Sequence, residues 1–215
     1  MQACRLARTI VVTLTPFAVG ALAQAQTILE EVVVSAQKRE QNIQDVGIAI
    51  AAFTGDQLKA MGIQSSYDVA TFTPGVHISG ALAGQNSQFT IRGVTQSDFN
   101  DIVEAPNAVY LDEGYIPIAN AQTFGLFDIE RVEVLKGPQG TLFGRNATAG
   151  VINIVPNKPV QEFEGFAKTR VGNYGLFNVE GMVNQPVTDD VAVRANIFSH
   201  QRDGIIENVG VGDDL

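Results

Sequence analysis

Three runs near the C-terminal end of the chain alternate between apolar or small side chains and mostly polar ones. In residues 163–171, 177–184 and 191–200, the odd positions carry the apolar or small side chains. A period of two predicts β-strands, and the turn residues between the runs predict that the strands are antiparallel. A transmembrane β-barrel and a soluble sheet with one face on a core both produce this alternation. The runs alone leave the two alternatives open.

The region before these runs mixes short helix and strand patterns. Thr54 and Gln57 form a capping box that predicts a helix ending at Gly62, and Ser65 predicts a second helix that ends before Pro74. Apolar segments predict strands at residues 48–53, 76–79, 89–92, 109–112, 115–118, 131–136 and 151–155. Residues 80–88, 95–106 and 185–190 are predicted to form loops or turns. This mixture predicts one compact α+β domain over residues 37–159.

The first 25 residues have the pattern of an export signal. Arg5 and Arg8 precede an apolar run at residues 9–21, and Ala-x-Ala cleavage sites follow it. A membrane-spanning helix needs about 20 apolar residues, and this run is shorter. We expect a signal peptide over residues 1–25, cleaved after Ala25 or, as a second choice, after Ala23. A short amphipathic or core helix is the alternative.

Composition narrows the function classes. The chain has 215 residues, 45% of them hydrophobic, and a net charge of −9. The hydrophobic content excludes low-complexity disorder, and the negative charge argues against a nucleic-acid partner. Cys4 is the only cysteine, and His77 and His200 lie far apart, so no disulfide and no metal site are predicted.

Enzyme motifs are also missing from the sequence. The glycine-rich residues 137–145 lack the Gly-Lys-Ser/Thr ending of a phosphate-binding loop, so we interpret them as tight turns. No Gly-x-Ser-x-Gly nucleophile motif is present. Asp112 and Glu113 are adjacent on a predicted strand and therefore point to opposite faces. We expect no catalytic residue, no cofactor and no enzyme activity.

A β-branched run follows the predicted signal peptide. Val32, Val33 and Val34 lie between acidic residues and Ser35 in an otherwise polar segment, residues 26–36. Such a run can add a strand to the open sheet edge of a partner protein. An ordinary edge strand within the chain's own fold is the alternative.

Taken together, these segments resemble a TonB-dependent outer-membrane receptor. Residues 30–36 resemble the TonB box, and residues 89–93 resemble the Ile-Arg-Gly motif of the plug domain. Residues 107–117 and the stretch from 127 to 154 resemble later plug segments. The resemblance implies a signal peptide at 1–25, a TonB-box segment at 26–36, a plug domain at 37–159 and the start of a β-barrel at 160–215. The implied fold is an α+β plug, a mixed sheet with short helices, followed by the first antiparallel strands of a transmembrane β-barrel.

The resemblance implies a transporter for the energy-coupled uptake of a scarce ligand across the outer membrane of a Gram-negative bacterium. A small molecule such as an iron–siderophore complex is the expected ligand. The expected partners are TonB, with its inner-membrane motor proteins, and outer-membrane lipid. A soluble periplasmic plug-like binding or adaptor protein without a pore is the alternative function. An exported hydrolase is a third, for which no nucleophile and base are found.

The resemblance also assigns residues. It implies that TonB binds Glu31, Val32, Val33, Val34 and Ser35. Arg92 and Arg145 match arginines that attach the plug to acidic residues of the barrel, with ordinary surface charge as the alternative. Outward-facing plug loops suggest a set of polar ligand-binding residues: Gln85, Asn86, Gln96, Asp98, Asn100 and Asn120.

The number of predicted barrel strands is small for this family. Such barrels have about 22 strands, whereas about three are predicted here. Three strands cannot close, and their edges are left unpaired. We therefore expect the chain to be a truncated piece of a receptor.

Overall fold

The computed structural model describes residues 32–35, 38–81, 86–96, 98 and 103–204. The predicted signal peptide and Glu31 lie outside the described residues. Within these residues, no helix combines the length and the apolar character needed to cross a membrane.

The described elements are twelve strands, three short α-helices and two 3-10 helices, Ile43–Asp45 and Ala119–Ala121. The strands are β1 (Val33–Val34), β2 (Gln41–Asn42), β3 (Ala49–Thr54), β4 (Val76–Ala81), β5 (Asn86–Ile91), β6 (Asn107–Leu111), β7 (Gly114–Ile116), β8 (Ile129–Lys136), β9 (Gly150–Pro156), β10 (Glu164–Val171), β11 (Phe177–Thr188) and β12 (Val191–Gln201). The helices are α1 (Gly55–Met61), α2 (Ser66–Phe72) and α3 (Gly140–Phe143).

A five-stranded mixed sheet forms the centre of the first part of the chain, in the order β3-β8-β9-β6-β7. Only β6 and β9 pair in parallel; the other neighbours are antiparallel. Both faces of this central sheet are covered. One face packs against α1, α2, β4 and β5 through side chains such as Val132 and Val134, and the other packs against α3 and the N-terminal segment through Leu135 and Val151.

The two predicted helices begin and end as expected. The Thr54 hydroxyl accepts a hydrogen bond from the Gln57 N–H (3.3 Å), and the Gln57 side chain accepts one from the Thr54 N–H (3.1 Å). Gly62 follows α1 with a φ of +72°, the left-handed conformation that glycine adopts without strain. Ser65 and Asp68 form the same reciprocal cap at the start of α2.

The three alternating runs form a separate antiparallel sheet, β10-β11-β12. Lys168, Glu180 and Phe198 are register partners across it, and all three line the side that faces the central domain. Val171 and Ile197, at odd positions, are 73% and 64% exposed. The prediction of a mostly polar face and an apolar face is therefore confirmed.

Three local predictions were wrong. β4 and β5 extend into residues 80–88, because backbone pairing continues through polar positions such as Ser79 and Gln88. β11 runs through most of the predicted turn at 185–190. The first residue of β10, Glu164, is opposite Asn184, so Pro186 lies beyond β10 and pairs only with β12. Its missing N–H therefore costs little. The glycine-rich residues 137–145 contain the helix α3 rather than turns alone.

Candidate functional site

The predicted TonB-binding strand is docked on the central domain. Val33 and Val34 pair with Asn42 and Gln41 of β2, and the Ile43 N–H donates to the Val32 carbonyl (3.0 Å). Val34 is fully buried, whereas Val33 is 41% exposed. The strand is thus held by a two-residue ladder and one buried valine side chain.

A buried carboxylate holds the end of this strand. We call this group the Glu133 cluster; it consists of Ser35, Arg131, Glu133 and Asn153. The Ser35 N–H donates to Glu133 Oε1 at 2.6 Å, and the Ser35 hydroxyl donates to the same oxygen at 3.1 Å. Arg131 Nε also donates to Oε1 (2.7 Å), and Asn153 Nδ2 donates to Oε2 (3.2 Å). Since Glu133 is fully buried, it depends on these donors for its stability as an anion.

The donors of the Glu133 cluster come from two sources. Arg131 and Asn153 belong to β8 and β9, the same sheet as Glu133. Ser35 alone comes from the N-terminal segment. Glu133 therefore has an ion pair and an amide donor that do not come from the docked strand.

The two arginines predicted to attach the plug to the barrel lie elsewhere. Arg92 is exposed at a tight turn with a φ of +51°, and the Asn107 amide fixes that turn by donating to the carbonyls of Phe89 (2.6 Å) and Val94 (2.9 Å). Arg145 pairs with Glu104 at 2.8 Å, and its side chain is 80% exposed. Within the described part of the chain, neither arginine bonds to β10, β11 or β12, so their attachment role stays a prediction.

The predicted ligand-binding residues are only partly brought together. Gln85 and Asn100 lie outside the described residues, and Asn86 is the first residue of β5. The Asp98 N–H donates to the Gln96 side chain (3.0 Å), which places these two side by side. Asn120 is exposed in a 3-10 turn, Ala119–Ala121. Their ligand role stays a prediction as well.

A second buried carboxylate joins the central domain to the three-stranded sheet. We call this group the Asp128 anchor; it consists of Asp128, Asn157, Arg194 and Asn196. Arg194 Nε and Nη2 donate to the two Asp128 oxygens at 2.6 Å each. The two side chains are only 8% and 3% exposed. Removing one partner of such a buried pair typically costs about 3–5 kcal/mol, because the other charge is left uncompensated.

Further contacts reinforce the Asp128 anchor. Asn157 Nδ2 donates to Asp128 Oδ1 at 2.9 Å, and the Asn157 N–H donates to the Asp128 carbonyl at 3.0 Å. Burial raises the pKa of the Asp128 carboxyl, but hydrogen bonds from Arg194, Asn157 and Asn196 outweigh burial, so that the pKa lies below its ordinary value. The carboxylate therefore stays charged under all but strongly acidic conditions.

Aromatic and amide contacts add to the Asp128 anchor in joining the central domain to the three-stranded sheet. The Phe127 ring lies 5.7 Å from the Phe198 ring and 6.0 Å from the Phe166 ring, measured between centroids. The Asn184 side chain accepts from the Val160 N–H (3.1 Å) and donates to the Val160 carbonyl (2.7 Å). The segment between the central domain and β10 is thus held against β11.

Sequence reasoning did not find either buried carboxylate. For Glu133 a signal existed: one acid lies between Val132, Val134 and Leu135, and a charge inside such an apolar run needs a buried partner. For Asp128 and Arg194 there was no local signal, because 66 positions separate them.

The comparisons with known proteins decide the family. Residues 42–151 match the family model described as the TonB-dependent Receptor Plug Domain. The chain belongs to this family. The central domain is accordingly a plug, and β10, β11 and β12 are the first strands of a barrel.

Individual relatives agree. The pesticin receptor of Yersinia pestis is 26% identical over 212 residues, which cover 94% of this chain and 31% of the receptor. The crystal structure of the ferric yersiniabactin uptake receptor FyuA from Yersinia pestis superposes with a TM-score of 0.70 at 25% identity, covering 78% of this chain and 26% of that one. The chain thus spans less than a third of the length of these relatives.

A third relative supports the fold alone. The ferripyoverdine receptor of the outer membrane of Pseudomonas aeruginosa has a TM-score of 0.68 at 22% identity, covering 82% of this chain and 23% of that receptor. These relatives are receptors by name, and the name of this third one places it in the outer membrane.

Proposed function

We propose that the protein is a TonB-dependent receptor that imports a ferric siderophore across the outer membrane of a Gram-negative bacterium. The observation that carries this proposal is the strand β1, which is docked on a plug domain through a two-residue ladder and the Ser35–Glu133 contact. The names of the similar structures, a ferric yersiniabactin uptake receptor and a ferripyoverdine receptor, support the ligand class.

In this proposal the residues from Glu31 to Ser35 form the strand that TonB takes up. A short ladder and a buried carboxylate hold this strand weakly enough for a partner's sheet edge to compete for it. Pulling on the strand transmits work from the inner-membrane motor proteins to the plug. Arg92 and Arg145 attach the plug to acids elsewhere in the barrel, and the loops around Gln96 and Asp98 contact the ligand on the outer side.

The proposed organisation follows the sequence. Residues 1–25 direct export and are removed, residues 26–36 carry the TonB box, residues 37–159 form the plug, and residues 160–215 belong to the barrel wall. In this organisation the apolar side of β10–β12 contacts outer-membrane lipid, and Val171 and Ile197 are among the side chains that do so.

Uptake measured in cells tests the proposal. We expect a strain lacking the gene to lose growth under iron limitation on one member of a panel of ferric siderophores that includes ferripyoverdine and ferric yersiniabactin. Expression of the complete coding sequence restores growth, and a V33P variant does not, because proline removes a strand N–H. A V33T variant, which keeps the β-branched shape, is the matched control. Uptake that continues after dissipation of the proton gradient contradicts the proposal.

The alternative, a soluble plug-like binding protein, is separated by fractionation. An outer-membrane receptor stays in the membrane fraction until detergent is added, whereas a soluble adaptor is recovered without detergent. Recovery in the soluble periplasmic fraction contradicts the proposed function.

A further inference from the structure

The strand β1 has two hydrogen-bonding edges, and β2 uses only one of them. The Ile43 N–H donates to the Val32 carbonyl at 3.0 Å, so these two residues form a hydrogen-bonded pair of the antiparallel ladder. Such pairs alternate along a ladder with pairs that form no hydrogen bond. Val34 therefore bonds to Gln41, whereas the N–H and C=O of Val33 point away from β2, toward the outer edge of β1.

The outer edge of β1 is open at Val33. Within the described ranges, the backbone N–H and C=O of Val33 form no hydrogen bond, and β2 is the only strand that pairs with β1. Val33 is also 41% exposed. An unpaired strand edge can accept a strand from another chain, which needs one N–H donor and one C=O acceptor on alternate residues. Val33 offers both.

The next group along the outer edge is blocked. The Ser35 N–H points the same way as that of Val33, because residues two apart in an extended segment have the same orientation. It donates to Glu133 Oε1 at 2.6 Å, and the Ser35 hydroxyl donates to the same oxygen at 3.1 Å. A side-chain carboxylate thus occupies the position that a backbone carbonyl of an added strand would take.

Removing this block costs less than removing β2. When a partner's carbonyl takes over the Ser35 N–H, Glu133 is left with two donors. These are Arg131 Nε at 2.7 Å and Asn153 Nδ2 at 3.2 Å. The ladder between β1 and β2 stays intact, and the partner forms new bonds at Val33. A partner that replaced β2 would break one set of ladder bonds to form an equal set, so addition at the outer edge is favoured.

We propose that a partner strand, that of TonB in the function proposed above, adds to the outer edge of β1 and displaces Glu133 from Ser35 while β2 stays paired with β1. The inference rests on the proposed function. It adds the edge that the partner uses and an autoinhibitory role for Glu133. The unit that the partner holds is then the pair β1–β2 and not β1 alone.

A cross-strand disulfide tests whether β2 stays. Val33 and Asn42 are directly opposite in a pair without hydrogen bonds, and the Cα atoms of such pairs lie about 4.5 Å apart, within the range of a disulfide. The complete coding sequence is expressed as V33C/N42C, with C4S so that Cys4 cannot pair with the new cysteines. We expect the purified, oxidised receptor to bind the periplasmic domain of TonB with a Kd within about twofold of that of its reduced form.

The opposite result has a clear meaning. A Kd that rises about tenfold or more on oxidation and recovers on reduction shows that β2 has to leave, and it overturns the inference. Wild-type receptor that does not bind the TonB domain overturns the proposed function instead.

Hydrogen exchange in the wild-type receptor answers the same question if the double variant does not reach the membrane. The Gln41 and Ile43 amides, which bond to β1, are expected to stay protected when the TonB domain binds. Faster exchange at these two amides in the complex means that β2 has separated from β1, and it overturns the inference.

A second variant tests the role of Glu133. E133Q keeps the shape of the side chain but makes its hydrogen bond to the Ser35 N–H a neutral one, which is weaker than the charge-assisted bond. We expect E133Q to bind the TonB domain about five- to tenfold more tightly than wild type, because the outer edge is blocked less. E162Q is the matched control, since Glu162 is exposed and forms no ion pair within the described residues. Equal affinity of E133Q and wild type overturns the autoinhibitory role.

Discussion

The Glu133 cluster and the Asp128 anchor use the same kinds of side chain but hold different elements: the cluster holds the strand β1, and the anchor holds the sheet β10–β12. Each surrounds a buried carboxylate with N–H donors from an arginine, an asparagine and a further group. In the Glu133 cluster the arginine and asparagine belong to the same sheet as the acid, and only Ser35 comes from the strand that is held. In the Asp128 anchor the arginine comes from the other body.

This difference determines how costly it is to open each contact. If Ser35 leaves, Glu133 keeps its ion pair with Arg131, so no buried charge is left without a partner. When Arg194 leaves, Asp128 keeps only amide donors, and the guanidinium keeps only the partly exposed Glu164 at 3.2 Å. The Asp128 anchor, whose arginine comes from the other body, is thus more costly to open than the Glu133 cluster, whose arginine lies in the same sheet as the acid.

The largest effect on stability is expected from breaking the Asp128 anchor. R194M leaves the Asp128 carboxylate buried without its cation, and we expect the free energy of unfolding to fall by about 3–5 kcal/mol. Urea unfolding followed by circular dichroism measures the change. R170M is the matched control, because Arg170 forms no ion pair within the described residues, and its cost is expected to stay within about 0.5 kcal/mol. Equal costs for the two variants contradict the comparison.

A smaller loss is expected inside the plug. E133Q keeps the shape of the side chain but removes the charge that Arg131 and the Ser35 N–H require, so we expect a loss of about 1–3 kcal/mol. Hydrogen exchange at residues 33–35 is expected to accelerate at the same time. E113Q is the control, since Glu113 is exposed and forms no ion pair within the described residues. Unchanged exchange in E133Q shows that Glu133 does not hold the strand.

Detaching the strand alone is expected to cost less. S35P removes the N–H that donates to Glu133, while Glu133 keeps Arg131 and Asn153. Proline also lacks the hydroxyl, so two hydrogen bonds to Glu133 are lost, and we expect faster hydrogen exchange in β1 with a loss of about 1–2 kcal/mol. S35A removes only the hydroxyl and is expected to have the weaker effect on exchange. A global unfolding of S35P contradicts the detachable character of the contact.

Mild acid is expected to have the smallest effect on the anchor. The pKa of Asp128 is lowered in the folded protein, so its stabilisation is present above the ordinary pKa of 3.8 and is lost only as the pH falls through the lower folded-state value. Between about pH 7 and pH 5 we expect no loss of this contribution. The difference in unfolding free energy between wild type and R194M, followed against pH, measures it. A difference that disappears already near pH 5 contradicts this assignment.

Much of the local structure was predictable because its causes are local. The capping box at Thr54, the stop at Gly62 and the alternation of the last three strands each depend on residues a few positions apart. The family motifs likewise indicated the correct family, whose model matches residues 42–151. For β1, the sequence indicated a strand but could not show that β2 occupies its edge.

The contacts that distinguish the two attachments are not local. Ser35 meets Glu133 across 98 positions, and Asp128 meets Arg194 across 66. Neither spacing follows from periodicity or from turn chemistry. The ligand-binding residues could not be predicted from local sequence either, because polar loops have the same composition whether they bind a ligand or only water.

The strand order of the central sheet also has a consequence for biosynthesis. Ala49 of β3 pairs with Lys136 of β8, and Asn107 of β6 pairs in parallel with Gly150 of β9, so the early strands must wait for partners that are made later. Such high contact order slows folding and prolongs the exposure of apolar segments. The central sheet therefore cannot close until residue 156 has been made, and the apolar side chains of β3 lack their partner strand until residue 136 has been made.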